Sequence, residues 1–590
     1  MKELMLGNAA VARALYEAGC RFVSSYPGTP STEITEHAAE YEELYAEWAP
    51  NEKVAMEAAL GASIGGARAF SAMKHVGMNV AADPMFTASY TGVNGGLVFA
   101  VADDQGMHSS QNEQDSRHYA IASKLPMLEP SDSAECLAYT KLSFELSEEY
   151  DTPILLRTCT RVAHSQSIVE TTERIELELK PYEKNPRKYV MMPGNAIARH
   201  IVVEERMAKL AEFAETSELN RIEMGDTSIG FVTAGICYQY LREIFPNASI
   251  LKLGMVNPLP VDLIKEFASK VDRLIVVEEL DGVIETHCRA SGVKVDGGKD
   301  VFGYLGELSQ YKILVALSDV LKQIEDLEAI GNDSYAELED PLPARPPVMC
   351  PGCPHRGTFY TLSEMGLTVF GDIGCYTLGS LAPLFALDTT ICMGASISGL
   401  HGFLTVRGEE AAKNAICVIG DSTFTHSGIT GLLDVAYNQG ISTVMILDNS
   451  TTGMTGHQEN PMTGKTLKGV ETRMASIEQI CEAAGIESIR LVDPFELDEL
   501  KAVIREELDK SEPSVIIARR PCALLRQVKA KPALSVNTES CRSCKKCMDI
   551  GCPAVSYPNK KALIDPTLCV GCGLCAKMCA HGAIEEVSAL

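Results

Sequence analysis

Eight cysteines crowd into the last fifty residues of this 590-residue chain, in two runs of like spacing. Cys541, Cys544 and Cys547 lead to Cys552-Pro553, and Cys569, Cys572 and Cys575 lead to Cys579. Three thiolates at two-residue spacing wrap three corners of an iron–sulfur cube, and where two such cubes lie side by side the fourth cysteine of each run reaches across to the other. The spacing predicts one [4Fe-4S] cluster on Cys541, Cys544, Cys547 and Cys579, and a second on Cys569, Cys572, Cys575 and Cys552. The first run has four residues rather than three before its fourth cysteine, and Ala580 stands where proline often follows; neither departure removes a ligand. A pair of zinc knuckles is the alternative use of four thiolates per metal, though tandem triplets suit it poorly. Two adjacent cubes form a path for single electrons.

The chain has 20 cysteines in all. With no signal-like start in MKELMLGNAAVARAL, they point to metal ligation in a reducing cytoplasm rather than to a disulfide framework. No run of about 18 uncharged apolar residues is present, so no membrane span is expected. Lys plus Arg number 52 against 79 Asp plus Glu, a formal net charge of −27. That sign repels phosphate backbones and anionic lipid surfaces and argues against nucleic-acid and membrane roles. At about 150 residues per domain, the length predicts about four domains.

Residues 415–450 read as strand, loop, helix and strand. Ile416 to Ile419 run into Gly420-Asp421, Ile429, Leu432, Leu433 and Ala436 follow helical spacing, and Thr443 to Leu447 run into Asp448-Asn449. In a βαβ unit both strands are parallel, so Asp421 and Asn449 emerge at carboxyl ends, where open α/β sheets bind ligands. Two oxygen ligands on one edge suit a magnesium ion that keeps the rest of its shell for a diphosphate. Asp and Asn as plain turn residues are the alternative. The segment GDSTFTHSGITGLLDVAYNQGISTVMILDNSTTGMTG resembles the thiamine-diphosphate motif, with Ser422 in place of its third glycine and Asp448 in place of its first asparagine. The resemblance implies Asp421 and Asn449 as Mg2+ ligands with the Thr451 carbonyl, and Gly420, Thr455 and Gly456 near the diphosphate.

A second cofactor half is expected in the first 185 residues. There Tyr26-Pro27-Gly28-Thr29-Pro30 follows a short strand, and Thr29 fits a helix N-cap with Pro30 at the first helical position, a place where a carboxylate docks. NEKVAMEAALGASIGGARAF contains Glu52 and Glu57. It is similar to a segment of the 2-oxoacid:ferredoxin oxidoreductases in which a glutamate precedes Gly-Ala-Ser by nine residues, a register that implies Glu52 as the acid/base partner of the aminopyrimidine. Arg117, in SSQNEQDSRHYA, matches by position the arginine that clamps the 2-oxoacid carboxylate in these enzymes, a task that suits its two-pronged donor fork. A solvated glutamate and a surface arginine are the plain alternatives.

Cys350-Pro-Gly-Cys353-Pro-His-Arg and Gly371-Asp-Ile-Gly-Cys375 resemble elements of the same family that ligate a cluster close to thiamine, with Cys522 in VIIARRPCALL at the position of the fourth ligand. A third [4Fe-4S] on Cys350, Cys353, Cys375 and Cys522 is therefore implied, against a zinc site or packed thiols. The expected organisation is α/β and multidomain, with doubly wound parallel sheets. A pyrimidine-binding domain spans 1–185, a connecting segment 186–224, a middle α/β domain 225–330, a linker 331–347, a diphosphate-binding domain 348–535 and a bacterial-type two-cluster ferredoxin domain 536–590. That order, with MKHVGMNVAADP, SSQNEQDSR and CPGCPHR, resembles the alpha (large) subunits of the indolepyruvate:ferredoxin oxidoreductases over essentially the whole chain. The resemblance implies oxidative decarboxylation of an aryl 2-oxoacid with coenzyme A, two electrons passing to ferredoxin, and pairing with a smaller beta subunit as a heterodimer or its dimer. A non-oxidative thiamine decarboxylase or ligase, and a non-catalytic electron-transfer subunit, are the rival readings.

Overall fold

The computed structural model describes residues 1–321 and 346–586; all but two residues of the expected linker 331–347 lie outside the described residues. The chain divides into two compact units, one within 1–342 and one within 343–590.

The first unit carries a seven-stranded sheet in the order Met255–Asn257, Met127–Leu128, Ile154–Cys159, Leu97–Asp103, Ala69–Lys74, Phe22–Ser25 and Tyr45–Trp48. All neighbours are parallel except Met255–Asn257, which adds an antiparallel edge beside Met127–Leu128. Every residue of Leu97–Asp103 and of Ile154–Cys159 is buried, as expected of parallel strands covered on both faces. The edge strand comes from the expected middle domain, which also builds a four-stranded sheet in the order Leu274–Val277, Asp226–Ala234, Ala248–Leu253 and Arg221–Glu223. One apolar core runs from Met56, Met73 and Phe99 through Val232, Leu251 and Phe267, so residues on both sides of position 185 bury their surface together.

The second unit is built on five parallel strands in the order Thr368–Phe370, Ala415–Gly420, Thr443–Asp448, Ser514–Arg519 and Ser488–Val492. Its strands alternate faces with period two. Ile416, Val418, Met445, Leu447 and Ile516 pack with Phe359, Leu500 and Ile504 on one side. Cys417, Ile419, Val444, Ile446 and Ile517 pack with Leu400, Phe424 and Leu432 on the other. Burying such a side chain stabilises the fold by about 1.5–3 kcal/mol, and truncating Ile446 to Ala costs about 2–5 kcal/mol. After the sheet, two short antiparallel pairs, Leu534–Val536 with Ile584–Glu586 and Val555–Ser556 with Leu563–Ile564, frame the cysteine-rich tail. Among the described residues no helix is long and apolar enough to cross a membrane.

Candidate functional site

At the carboxyl edge of the five-stranded sheet, Ala415–Gly420 and Thr443–Asp448 are hydrogen-bonded neighbours with Gly420 opposite Leu447, so Asp421 and Asn449 leave the sheet side by side. Asp421 is 2% exposed, and its Oδ2 has no hydrogen-bond partner. Burial, then the nearby Asp448 carboxylate, push its pKa up to about 8, the behaviour of a carboxylate taken from water without a cation. Asp448 is itself engaged, since Arg519 Nε donates to its Oδ2 at 2.6 Å. The acid that replaces an asparagine of the motif thus has its own counter-ion, and the orphaned oxygen belongs to Asp421. Asn449 Oδ1 accepts from Thr451 N at 3.2 Å, and Asn449 Nδ2 points at His355 Nε2 at 3.4 Å. His355 is held neutral by burial, its pKa pushed down to about 4, which leaves its ring nitrogen able to accept.

The surrounding loops close tightly. A Cβ on Gly420 would stand 2.6 Å from the Tyr376 ring, whose hydroxyl donates to Ile373 O at 2.9 Å. Ser422, the residue in place of the motif's third glycine, accepts from Thr452 Oγ1 at 3.0 Å. Thr455 donates to Gln458 Oε1 at 2.5 Å, and Thr452 N to Gln458 O at 3.0 Å, closing a turn in which Gly456 has φ +124°. Asp372 accepts from Gly394 N and Ser396 N, both at 3.0 Å, at the start of the helix Ala395–Arg407, and so fixes the loop that leads to Cys375.

The four cysteines expected to hold a third cluster come together beside this edge. Burial and the neighbouring Cys522 and Cys350 push Cys375 up to about 11, and burial with Cys375 and Cys350 pushes Cys353 up to about 12. Cys522 N donates to Asn449 O at 2.9 Å. A Cβ on Gly453 would lie 3.5 Å from Cys375 Sγ and 3.6 Å from Asn449 Nδ2, so thiol nest and metal edge share a wall. In the tail, Cys541, Cys544, Cys547 and Cys579 line one small cavity. Cys552, Cys569, Cys572 and Cys575 line another. This is the grouping that the spacing predicts.

In the first unit, Trp48 ends a strand and Asn51 caps the helix Glu52–Ile64, its Oδ1 accepting from Val54 N at 2.9 Å. Glu52 is buried in the first turn, while Glu57 is on the surface beside Lys53 at 2.8 Å. A Cβ on Gly77 would fall 2.5 Å from Glu52 Oε1, so the absence of a side chain there is what makes room for the carboxylate. Thr29 is not the helix cap. The helix begins at Thr32 with Ser31 at the cap position, and the Ser31 hydroxyl donates back to Gly28 O at 2.8 Å.

Arg117 differs from expectation more sharply. Only 1% exposed, it donates to Asp115 Oδ1 at 2.9 Å, Glu278 Oε2 at 2.6 Å, and the carbonyls of Glu279 and Asp281 at 3.0 Å. Its fork is consumed by the protein, which does not fit a substrate clamp. The cation that sequence reasoning missed is Lys74, at the carboxyl end of Ala69–Lys74. It lies in the field of Asp104 and Glu52, and burial lowers its pKa to about 8. Its Nζ donates to Ser109 O at 2.6 Å, and its Cγ would be 3.2 Å from a Cβ on Gly28. A lysine at a strand end has no local signature; only the sheet brings it to Glu52 and the Tyr26–Pro30 loop.

Residues 13–222 match the family described as pyruvate flavodoxin/ferredoxin oxidoreductase, thiamine diP-binding. Residues 372–518 match the thiamine pyrophosphate enzyme C-terminal TPP-binding domain, and 562–585 a 4Fe-4S binding domain. The chain is 40% identical over 612 residues to indolepyruvate oxidoreductase subunit IorA of Archaeoglobus fulgidus, covering 99% of this chain and 97% of that one. It is 39% identical to the subunit of the same name from Pyrococcus horikoshii, with the same coverage, and 39% identical to that of Methanothermobacter marburgensis, covering 98% and 97%. With that identity spread along nearly its full length, and an orphaned carboxylate beside nests of thiols, the chain belongs to the IorA family of indolepyruvate oxidoreductase subunits, thiamine-diphosphate-dependent enzymes of 2-oxoacid oxidative decarboxylation linked to ferredoxin.

Proposed function

We propose that the chain is the catalytic alpha subunit that oxidatively decarboxylates aryl 2-oxoacids of the indolepyruvate type with coenzyme A, giving the aryl acyl-CoA, carbon dioxide and two reduced ferredoxins. The observation that carries this reading is Asp421, buried without a cation beside Asn449, whose amide lies within one glycine's width of Cys375 in the thiol nest. A hard divalent ion takes oxygen ligands, and Asp421 Oδ2, Asn449 Oδ1 and the Thr451 carbonyl are of the right kind for Mg2+ and the diphosphate it carries. Gly420, Thr455 and Gly456 shape the loops around that edge, and His355 fixes the Asn449 amide so that its oxygen is left for the metal.

When bound, thiamine diphosphate supplies the electron sink into which a 2-oxoacid loses its carboxylate. Glu52 holds the proton at the aminopyrimidine ring nitrogen, the Gly77 gap giving its carboxylate a fixed seat. Lys74 takes the carboxylate-binding role, with Thr29 in the neighbouring loop, and Arg117 has a structural one. Cys350, Cys353, Cys375 and Cys522 hold a [4Fe-4S] cluster next to the metal edge, and the two tail sets hold two more, so that electrons leave one at a time. The smaller beta subunit and ferredoxin complete the assembly in a cytoplasmic setting.

The test is anaerobic turnover of the purified complex with indolepyruvate and coenzyme A, read as viologen reduction together with acyl-CoA formation. Dye reduction that requires both coenzyme A and thiamine diphosphate is expected. Aldehyde released without dye reduction would overturn the oxidative reading, and turnover selective for pyruvate or another non-aryl 2-oxoacid would overturn the substrate assignment.

A further inference from the structure

Arg356 stands three residues after Cys353, in the first turn of the helix His355–Met365, and is 2% exposed. It donates to four backbone carbonyls and to no side chain: Met349 O, Cys350 O at 3.1 Å, Ile550 O at 2.9 Å and Gly551 O at 2.6 Å. The first two carbonyls belong to the loop that carries Cys350 and Cys353; the other two belong to the turn that leads into Cys552. Among the described residues Arg356 forms no ion pair, unlike Arg117, which has two carboxylates. A guanidinium taken out of water without an anion is strongly unfavourable, so the carbonyl dipoles alone are a weak reason to place one here.

The groups around it that become anionic are thiols. Its carbonyl partners put it between the loop of Cys350 and Cys353, in the nest beside Asn449, and the turn into Cys552, in a tail nest. Arg356 also lines the tail cavity formed by Cys552, Cys569, Cys572 and Cys575. The same loop brings the nests together, for a Cβ on Gly352 would lie 2.5 Å from Val570 Cγ2 and 3.6 Å from Cys572 Cβ. Arg356 does not line the cavity of Cys541, Cys544, Cys547 and Cys579.

We propose that Arg356 is the shared counter-ion of two adjacent iron–sulfur clusters, one on Cys350, Cys353, Cys375 and Cys522 and the other on Cys552, Cys569, Cys572 and Cys575, and that it raises the reduction potential of both. This rests on the assignment of clusters to those two nests. A cube held by four thiolates is an anion, and each reduction adds one negative charge, which a fixed cation in a low-dielectric setting favours. Because one side chain faces both cubes, it moves both potentials in the same direction, while its carbonyl bonds hold the two ligand loops together. Arg356 is a positioning residue that acts through the cofactors and touches no substrate.

The test is a redox titration followed by electron paramagnetic resonance, with iron analysis, on the anaerobically purified complex carrying Arg356→Gln or Arg356→Lys. In the Gln variant with its iron retained, the potentials of the two flanking clusters are expected to fall while that of the cluster on Cys541, Cys544, Cys547 and Cys579 stays put. Unmoved potentials, or three clusters moving alike, overturn the proposal. If the Gln variant loses iron, the lysine variant decides: retained iron with wild-type potentials supports a role for the charge, whereas lost iron or lowered potentials overturn it. Wild-type complex with fewer than about twelve irons per alpha chain defeats the cluster assignment itself, a result separate from a failure of Arg356.

Discussion

Each unit buries an aspartate near the carboxyl edge of a parallel sheet, and the two aspartates have opposite environments. In the first unit Asp115 accepts from Arg117 Nε and Nη2, with Arg157 nearby, and these cations hold its carboxyl well below the usual range. In the second unit Asp421 has an oxygen with no partner and a pKa pushed up to about 8. The arginines divide in the same way: Arg117 meets carboxylates, and Arg356 donates to backbone carbonyls alone. Buried charge whose partners lie within the chain maintains the fold, whereas buried charge that lacks them marks where something else binds. That criterion sets Arg117 with the architecture and is what the proposed roles of Asp421 and Arg356 rest on.

The sharpest way to break this contrast is Arg117→Ala. Left uncompensated, Asp115 and Glu278 should cost about 3–5 kcal/mol of stability, measured by denaturant melts of the complex; a selective rise in KM with stability intact would return Arg117 to the active site. Asp421→Ala should do the reverse, leaving the melt nearly unchanged while Mg2+-dependent thiamine diphosphate affinity drops on the order of a hundredfold by calorimetric titration. Unchanged affinity would mean that the orphaned oxygen serves no ion. Lys74→Ala should raise KM for the 2-oxoacid about tenfold, near 1.4 kcal/mol, with cofactor affinity kept; unaltered steady-state kinetics would take Lys74 out of substrate binding.

A test by pH rather than by ligand concerns Glu279, whose pKa burial pushes up to about 7. An acid with a folded pKa above its unfolded value takes up a proton on folding, so its contribution is present below about pH 4.5 and is lost as pH rises to about 7, at no more than about 1.4 kcal/mol per pH unit. Glu279→Gln should flatten the wild-type decline in melting temperature across that window, and parallel curves would show that other groups set it.

Legibility in the sequence followed the range of the contacts. The tail cysteines fall within reach of one another along the chain, and their spacing, with the crossover of fourth ligands in two-cluster ferredoxins, separates Cys541, Cys544, Cys547 and Cys579 from Cys552, Cys569, Cys572 and Cys575, the same sets that line the two cavities. Asp421 and Asn449 are readable because one βαβ unit delivers both to one edge. Arg117 misleads because the partner that occupies its Nη1, Glu278, is 161 residues away. Lys74 goes unnoticed for a related reason, since its neighbours Gly28, Glu52, Asp104 and Ser109 arrive from other segments of the chain. Thr29 shows a limit of local rules: the Thr-Pro pair has the pattern of a helix start, yet the helix begins at Thr32.

The antiparallel edge Met255–Asn257 pairs with Met127–Leu128 across more than a hundred residues of intervening chain. During synthesis the first sheet therefore cannot be completed when its own six parallel strands have emerged; it waits, with one flank open, until position 257 has cleared the ribosome. An unfinished flank is a template for strands of other molecules, so truncations that end between about 190 and 250 should be the insoluble ones, whereas those that keep Asn257 close the sheet.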